Sequence, residues 1–240
     1  MRSCLIAFAL LASACTSRPE GLEGRQPSLA TAQTALGSGA PELALQACTG
    51  LVGRAPRDAP AHTCRGDALT MLGRGAEAEA SYDAALAANP DSEGALIGLG
   101  RLRLPTDPAA AERLFLRALA LQPRNAPALN NLGIARDLQG RHAEAQTAYG
   151  EAIAAAPTMR AAQVNLALSM ALSGRTAEAT RILRPIAEGP GATVRERHGL
   201  AAVLGMAGDT EAAARLLRPD LTSQQVDDAL AAYRALPTVR

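Results

Sequence analysis

The sequence predicts an all-α solenoid of stacked helical hairpins, and three observations lead there. The chain has 240 residues with 55 Ala, two Phe, three Tyr and no Trp. A core that poor in rings and that rich in the best helix former must bring backbones close together, as packed helices do. Helix-breaking Pro recurs at Pro90, Pro123 and Pro157, and the rings Tyr82, Phe115 and Tyr149 keep the same separations of 33 and 34 residues. Two series of small residues share that period: Gly66, Gly100, Gly133, Ala167 and Ala201, then Ala78, Ala111, Ala145, Ala179 and Ala213. Independent series with one period mark the internal repeat of a supersecondary unit.

The chain begins outside the repeat. Arg2 is followed by an apolar run from Cys4 to Leu11, then by Ala12-Ser13-Ala14 and Cys15. A positive start, a short apolar stretch and an A-x-A-like site predict an export signal over residues 1–14. The run is too short to span a bilayer, which takes ~20 apolar residues. Leu11-Ala12-Ser13-Ala14-Cys15 resembles the bacterial lipobox, which implies acylation of Cys15. Ordinary cleavage after Ala14 is the alternative, and both routes give one mature start. Residues 15–26 are polar, with Pro19 and two Gly, and suit a flexible tether. In the lipoprotein family a residue other than Asp after the Cys implies the outer membrane, and Thr16 fits that. The alternative is a soluble periplasmic protein.

The repeats follow over residues 27–220. The clearest copy runs from Ala126 to Pro157 and reads Leu129-x2-Leu132-Gly133, Gly140-Arg141-x2-Glu144-Ala145-x3-Tyr149 and Ala152. Gly133 and Ala145 allow two helices to cross closely, Tyr149 fills the space they leave, Gly140 ends the first helix and Pro157 stops the second. Residues 59–92 repeat the pattern with Gly66, Gly73, Glu77-Ala78 and Tyr82. Residues 93–125 replace the Gly turn by Leu104-Pro105-Thr106-Asp107-Pro108, where Asp107 can cap a helix starting at Pro108. Residues 160–193 and 194–220 keep Gly174 and Gly208, with Leu183 and Leu217. Residues 27–58 form a worn first copy around Gly39, Ala44 and Cys48. Residues 221–240 hold a last helix and tail; Thr222 with Gln225 makes a capping box, and Val226, Ala229, Leu230 and Tyr233 form one apolar face. That helix covers the open end of the stack.

The pattern resembles the tetratricopeptide repeat (TPR). The resemblance implies a right-handed TPR superhelix of five to six hairpins with a C-terminal capping helix, the first helix of each repeat lining the concave side. Arg65 departs from it, because the family keeps that site apolar.

Composition narrows the function. The 24 basic residues are all Arg and nearly cancel 23 acids, so no basic stripe points to nucleic acid or to an acidic membrane surface. No H-E-x-x-H, G-x-S-x-G or phosphate loop with its Lys occurs. His62, His142 and His198 fall in separate repeats and read as surface or groove residues. Glu77, Glu144 and Glu178 sit where a negative charge suits a helix start. No enzyme activity, metal, cofactor or small-molecule substrate is expected. Cys48 and Cys64, 16 residues apart, are a candidate disulfide in an oxidising compartment, the alternative being two buried thiols.

Function is then expected on the groove surface. Away from Leu132-Gly133, the first helix of the clearest copy carries Asn130, Asn131, Ile134 and Leu138; one period later come Val164, Asn165, Leu168 and Leu172. An Asn amide donates and accepts, so Asn131 and Asn165 could hold the backbone of a bound segment. Ile97, Ile134, Leu168 and Ala202 would form an apolar floor, with Arg101 and His198 meeting acidic groups. TPR carboxylate clamps add Lys or Arg beside their Asn pair, and those sites are apolar here. Lipidated TPR chains of this length resemble the lipoprotein D family of the tight-adherence (Flp) pilus system and, more distantly, the pilotins that carry secretins. That implies a scaffold or assembly factor for a secretin or pilus component, membrane-held by its N-terminal lipid. The alternatives are a general periplasmic TPR adaptor, for cell-wall enzymes or cytochrome maturation, or an enzyme's regulatory subunit.

Overall fold

A computed structural model of the chain describes residues 28–236; the expected signal, the tether and Cys15 lie outside them. Among the described residues there are thirteen α-helices and no strand. They form six antiparallel hairpins and one final helix. The hairpins are α1 (Leu29–Gly37) with α2 (Pro41–Arg54), α3 (Ala59–Met71) with α4 (Gly75–Ala88), and α5 (Glu93–Arg103) with α6 (Pro108–Leu121). They continue as α7 (Ala126–Asp137) with α8 (His142–Ala155), α9 (Arg160–Leu172) with α10 (Thr176–Ala187), and α11 (Val194–Met206) with α12 (Thr210–Leu217). The last helix, α13 (Ser223–Ala235), stands alone.

Local chemistry sets these boundaries. Side chains of Asp58, Asp107, Asn125 and Asp209 cap α3, α6, α7 and α12 by accepting from an amide three residues on. Capping boxes start α11 (Thr193 with Glu196) and α13 (Thr222 with Gln225). Five of the six hairpin turns contain a left-handed glycine: Gly39, Gly73, Gly140, Gly174 and Gly208. Beyond each of these, the Ala40, Arg74, Arg141, Arg175 and Asp209 amides close the preceding helix by bonding a carbonyl five residues back. The third hairpin turns through Leu104–Asp107 without positive φ and relies on the Asp107 cap.

Packing follows from size. Tyr82, Phe115 and Tyr149 are fully buried, each against a glycine of the partner helix. A methyl added to Gly66, Gly100 or Gly133 would lie 2.5 Å from the ring of Tyr82, Phe115 or Tyr149 respectively. Ala167 and Ala201 do carry that methyl, and the ring positions facing them hold the smaller Leu183 and Leu217, both fully buried. The small and large positions are matched pairs, one per hairpin.

Successive helices pack in order, and most odd-numbered helices also pack on the next odd one: α1 on α3, α3 on α5, α7 on α9, α9 on α11 and α11 on α13. No two even-numbered helices pack closely. Odd helices therefore occupy the tight inner side of the curve. The stack is right for the expected superhelix. Arg65, on the site the family keeps apolar, is half-buried and donates from Nε to Ser81 Oγ at 3.0 Å.

One buried carboxylate ties the third hairpin to the fourth. Glu112 accepts from Arg136 Nε (3.0 Å), Gln139 Nε2 (2.9 Å) and Arg141 Nη1 (2.6 Å). Burial works to raise this carboxyl, but the three donors outweigh it and hold it below the usual carboxylate range. A carboxyl lowered on folding adds stability above its unfolded value, about 4.3, and that stability is lost as pH falls through the lowered value. The gap in melting temperature between Glu112→Gln and the parent should accordingly be wide at neutral pH and narrow below pH ~4. Chemical unfolding tests the size matching: Gly133→Ala is expected to cost about 1–3 kcal/mol. Combined with Tyr149→Leu it should show a favourable coupling of at least about 0.5 kcal/mol. Strict additivity would mean that the methyl and the ring do not collide.

Candidate inner-wall binding surface

The inner wall is built from positions repeating on the odd helices. One series runs Leu29, Thr63, Ile97, Asn130, Val164 and His198; another, one helical turn on, runs Gln33, Asp67, Arg101, Ile134, Leu168 and Ala202. The first members of both series line a pocket of about 220 Å³ that spans α1, α3 and the start of α5. Its walls include Leu29, Leu36 and Pro60, and its polar groups come from Gln33, Thr63, Asp67 and Ser92. A larger hollow, about 520 Å³, lies between α12 and α13 at the end of the stack, away from these series.

The structure sorts the expected groove residues into three groups. Ile97, Ile134 and Leu168 are half-buried, Arg101 is exposed, and Asn131 is half-buried with no side-chain hydrogen bond among the described residues. These five remain open to a ligand. Asn130 does not: it is buried, and its Oδ1 accepts from Asn165 Nδ2 at 2.9 Å. The Asn pair that forms thus links α7 to α9, and it draws on the Asn165 amide expected to hold a ligand. Val164 is buried in the core for the same reason, since odd helices press on each other as well as on their hairpin partners.

The histidines also depart from expectation. His62 is buried, with Nε2 2.9 Å from the Pro56 carbonyl oxygen. His142 Nδ1 lies 2.9 Å from Asp137 Oδ1. His198 is partly covered, and its Nε2 is 3.3 Å from Asp220 Oδ2, close enough for charge pairing but poorly aligned for a hydrogen bond. Asp220 is held in turn by Arg197 Nη2 at 2.9 Å to each oxygen. His198 is therefore committed to the turn after α12, which leaves Arg101 as the cation on this face.

Two acids on the odd helices were not singled out from sequence. Asp67 Oδ1 accepts from Tyr82 Oη at 2.7 Å. Burial pushes the Asp67 carboxyl above its ordinary value, partly offset by the Tyr82 hydrogen bond and the Arg101 charge. Burial and the nearby Asp67 charge likewise raise the Tyr82 hydroxyl. Asp137 accepts from Tyr149 Oη (2.9 Å) and Ser169 Oγ (2.7 Å) beside its His142 contact. The signal for Asp67 was present in the register, where it stands one repeat before Arg101.

Cys48 and Cys64 are joined by a disulfide, with Cα atoms 5.9 Å apart, and both are buried. The bond ties α2 to α3, and Cys64 also lines the inner-wall pocket. Among the described residues no group of three His, Cys, Asp or Glu could hold a metal ion, and no helix is long and apolar enough to cross a membrane.

Two family models described as tetratricopeptide repeat match the chain, one over residues 114–147 and the other over 29–93 and 139–192. No curated protein matches it in sequence. Similar solved structures include a tetratricopeptide repeat protein from Parabacteroides merdae, 17% identical, with 86% of this chain and 82% of that one covered and a TM-score of 0.67. Pseudomonas aeruginosa pilF is 18% identical, covering 85% of this chain and 95% of its own, with a TM-score of 0.68. YrrB, described as a TPR protein with an unusual peptide-binding site, is 19% identical over 79% of this chain and 99% of its own, with a TM-score of 0.56. At these identities the likeness is one of fold.

The disulfide closes a loop of 16 residues around the first inter-repeat junction. A loop of that length stabilises by about 3 kcal/mol through the unfolded chain. Replacing both cysteines by Ser is expected to speed hydrogen exchange in α1 and α2 by about two orders of magnitude. Exchange in α7–α10 should be unchanged, because each repeat leans only on its neighbours. A uniform loss of protection along the chain would contradict that view.

Proposed function

Because the chain belongs to the tetratricopeptide repeat family, we propose that it is a scaffold that holds a segment of another protein against its inner wall and does no chemistry on it. The observation that carries this reading is the half-buried apolar row Ile97, Ile134 and Leu168, flanked by Asn131 and Arg101. Side chains in that state have surface left to give a partner, and apolar residues on successive odd helices, Ile97 one helical turn before the register of Ile134 and Leu168, match an extended or helical segment.

The site of action we infer is the bacterial envelope, with Cys15 acylated and the solenoid facing the periplasm from the outer membrane. The export pattern over residues 1–14 supports this, and so does a disulfide, which persists in oxidising compartments. Within the envelope we favour placement of a secretin or another pilus-assembly component. Support comes from the lipobox-like start, the chain length and the shared fold with pilF along most of both chains. A general periplasmic adaptor is the second reading, favoured by the likeness in fold to TPR proteins such as YrrB.

Cross-linked capture from envelope extracts separates these readings, with secretin recovery expected under the first and cell-wall or cytochrome-maturation proteins under the second. In either case Ile134→Arg combined with Leu138→Arg, with helix content verified by circular dichroism, should reduce capture by about tenfold or more. Undiminished capture would remove the inner wall from the interaction. The intact mass of the mature protein should exceed that of residues 15–240 by the mass of acyl groups; a bare polypeptide mass would reject lipidation.

A further inference from the structure

We propose that the pocket at the N-terminal end of the inner wall receives a basic side chain, Arg or Lys, from the bound segment. This rests on the reading that the inner wall holds a polypeptide. The pocket draws on three successive odd helices: Leu29, Gln33 and Leu36 from α1, Thr63 and Asp67 from α3, and Ser92 just before α5. Asp67 is its charged group. The Tyr82 hydroxyl is the only hydrogen-bond donor that the described residues give its carboxylate, and none of them forms an ion pair with it. A carboxylate has about four acceptor sites, so most of this one's capacity is left for a cation. Half-buried and in no ion pair, with the Arg101 charge felt only from a distance, it gains more from a cationic partner than an exposed acid would.

The surroundings select the kind of cation. Leu29 and Leu36 can cover the methylene stem of Arg or Lys while the head meets Asp67, the arrangement long basic side chains adopt at apolar edges. Gln33, Thr63 and Ser92 supply oxygens for the remaining N–H groups. Arg101 occupies the equivalent position one repeat on and is exposed, so a second basic residue at that repeat is repelled. Beyond it the same series turns apolar, with Ile134, Leu168 and Ala202. The other acid on this wall, Asp137, is already committed to Tyr149, Ser169 and His142. A basic residue thus has one place to sit, and the apolar remainder of the segment runs toward α11. The wall fixes direction as well as composition.

The test uses the isotope-labelled protein and three short probes: acetyl-Leu-Leu-Arg-Leu-amide and its versions with citrulline or Glu in place of Arg. Resonances of Gln33, Thr63 and Ser92 are expected to shift with the Arg probe at an affinity about tenfold or more above the citrulline probe, with the Glu probe weakest. Asp67→Asn keeps an acceptor for the Tyr82 hydroxyl and should abolish the preference for Arg over citrulline. Equal affinity for Arg and citrulline in the unaltered protein overturns the proposal, whatever Asp67→Asn does to folding. So does a gain in affinity on deleting residues 16–26, which would put the chain's own Arg18 or Arg25 in the pocket. Loss of partner capture in Ile134→Arg with Leu138→Arg, alongside no preference for Arg, would sink the subsite and leave inner-wall binding standing.

Discussion

Two helices approach as closely as they do in each hairpin only where one of them offers a hydrogen or a methyl to a large side chain of the other. That steric bargain, Gly66 with Tyr82, Gly100 with Phe115 and Gly133 with Tyr149, recurs at the repeat period and sets everything built upon it. Burying a large apolar side chain is worth about 1.5–3 kcal/mol, and each hairpin from α3 onward gains it once at the same height. Because the height is constant, the turns, the caps and the stacking of odd helices recur in register. A curved rod with an inner wall is the consequence. When the small position grows to Ala, as at 167 and 201, the large one shrinks to Leu, and the spacing is preserved without a ring.

The ends of the stack depart from this contact in different ways. In the register of Tyr82, the first hairpin has Cys48, 34 residues earlier. No ring is there to fill the junction, and a covalent bond to Cys64 of α3 holds it instead. At the other end α12 has only eight residues, and α13 follows without a partner helix. Tyr233 of α13 presses on Gly205 of α11, where an added methyl would lie 2.8 Å from the ring. A ring against a glycine therefore closes the stack, though out of the repeat's register. The first hairpin has replaced the standard contact by a covalent bond, and the last keeps Ala201 against Leu217 and adds a ring against a glycine for the capping helix.

What the sequence disclosed and what it withheld follow from the same geometry. The hairpins, the left-handed turn glycines and the Asp107 substitute turn were legible, because steric matching demands the same residue types at the same spacing. The groove was read less well, since one face of each odd helix was located from its hairpin contact at Leu132-Gly133 alone. Odd helices have a second buried face toward the next odd helix, and that face claims Asn130, Asn165 and Val164. His198 was misplaced because its partner Asp220 follows the shortened α12, where the 34-residue register no longer applies. Asp67 was overlooked for the opposite reason. It obeys the register, but its meaning depends on Tyr82 and on the pocket that α1 completes.

The dependence on α1 connects the first junction to the inner wall. Leu29, Gln33 and Leu36 can face Thr63 and Asp67 only while the first hairpin is held against the second. The apolar part of that junction is built of small residues: Ala32, Ala47 and the two cysteines with flanking Leu29 and Leu36, and Ala35, Ala44 and Ala68 with Leu36 and Leu45. In a linear stack a terminal unit has one neighbour instead of two, so its hold is the weakest wherever the contacts are equal. The cysteine bond between α2 and α3 adds a covalent constraint at that end, on which the pocket's α1 wall leans through its hairpin partner α2. Cys64 itself lines that pocket, so the bond and the binding surface are one structure seen from two sides. The charged end of the inner wall is therefore the end that a disulfide helps to hold, while the apolar stretch over α7 and α9 rests on non-covalent contacts alone.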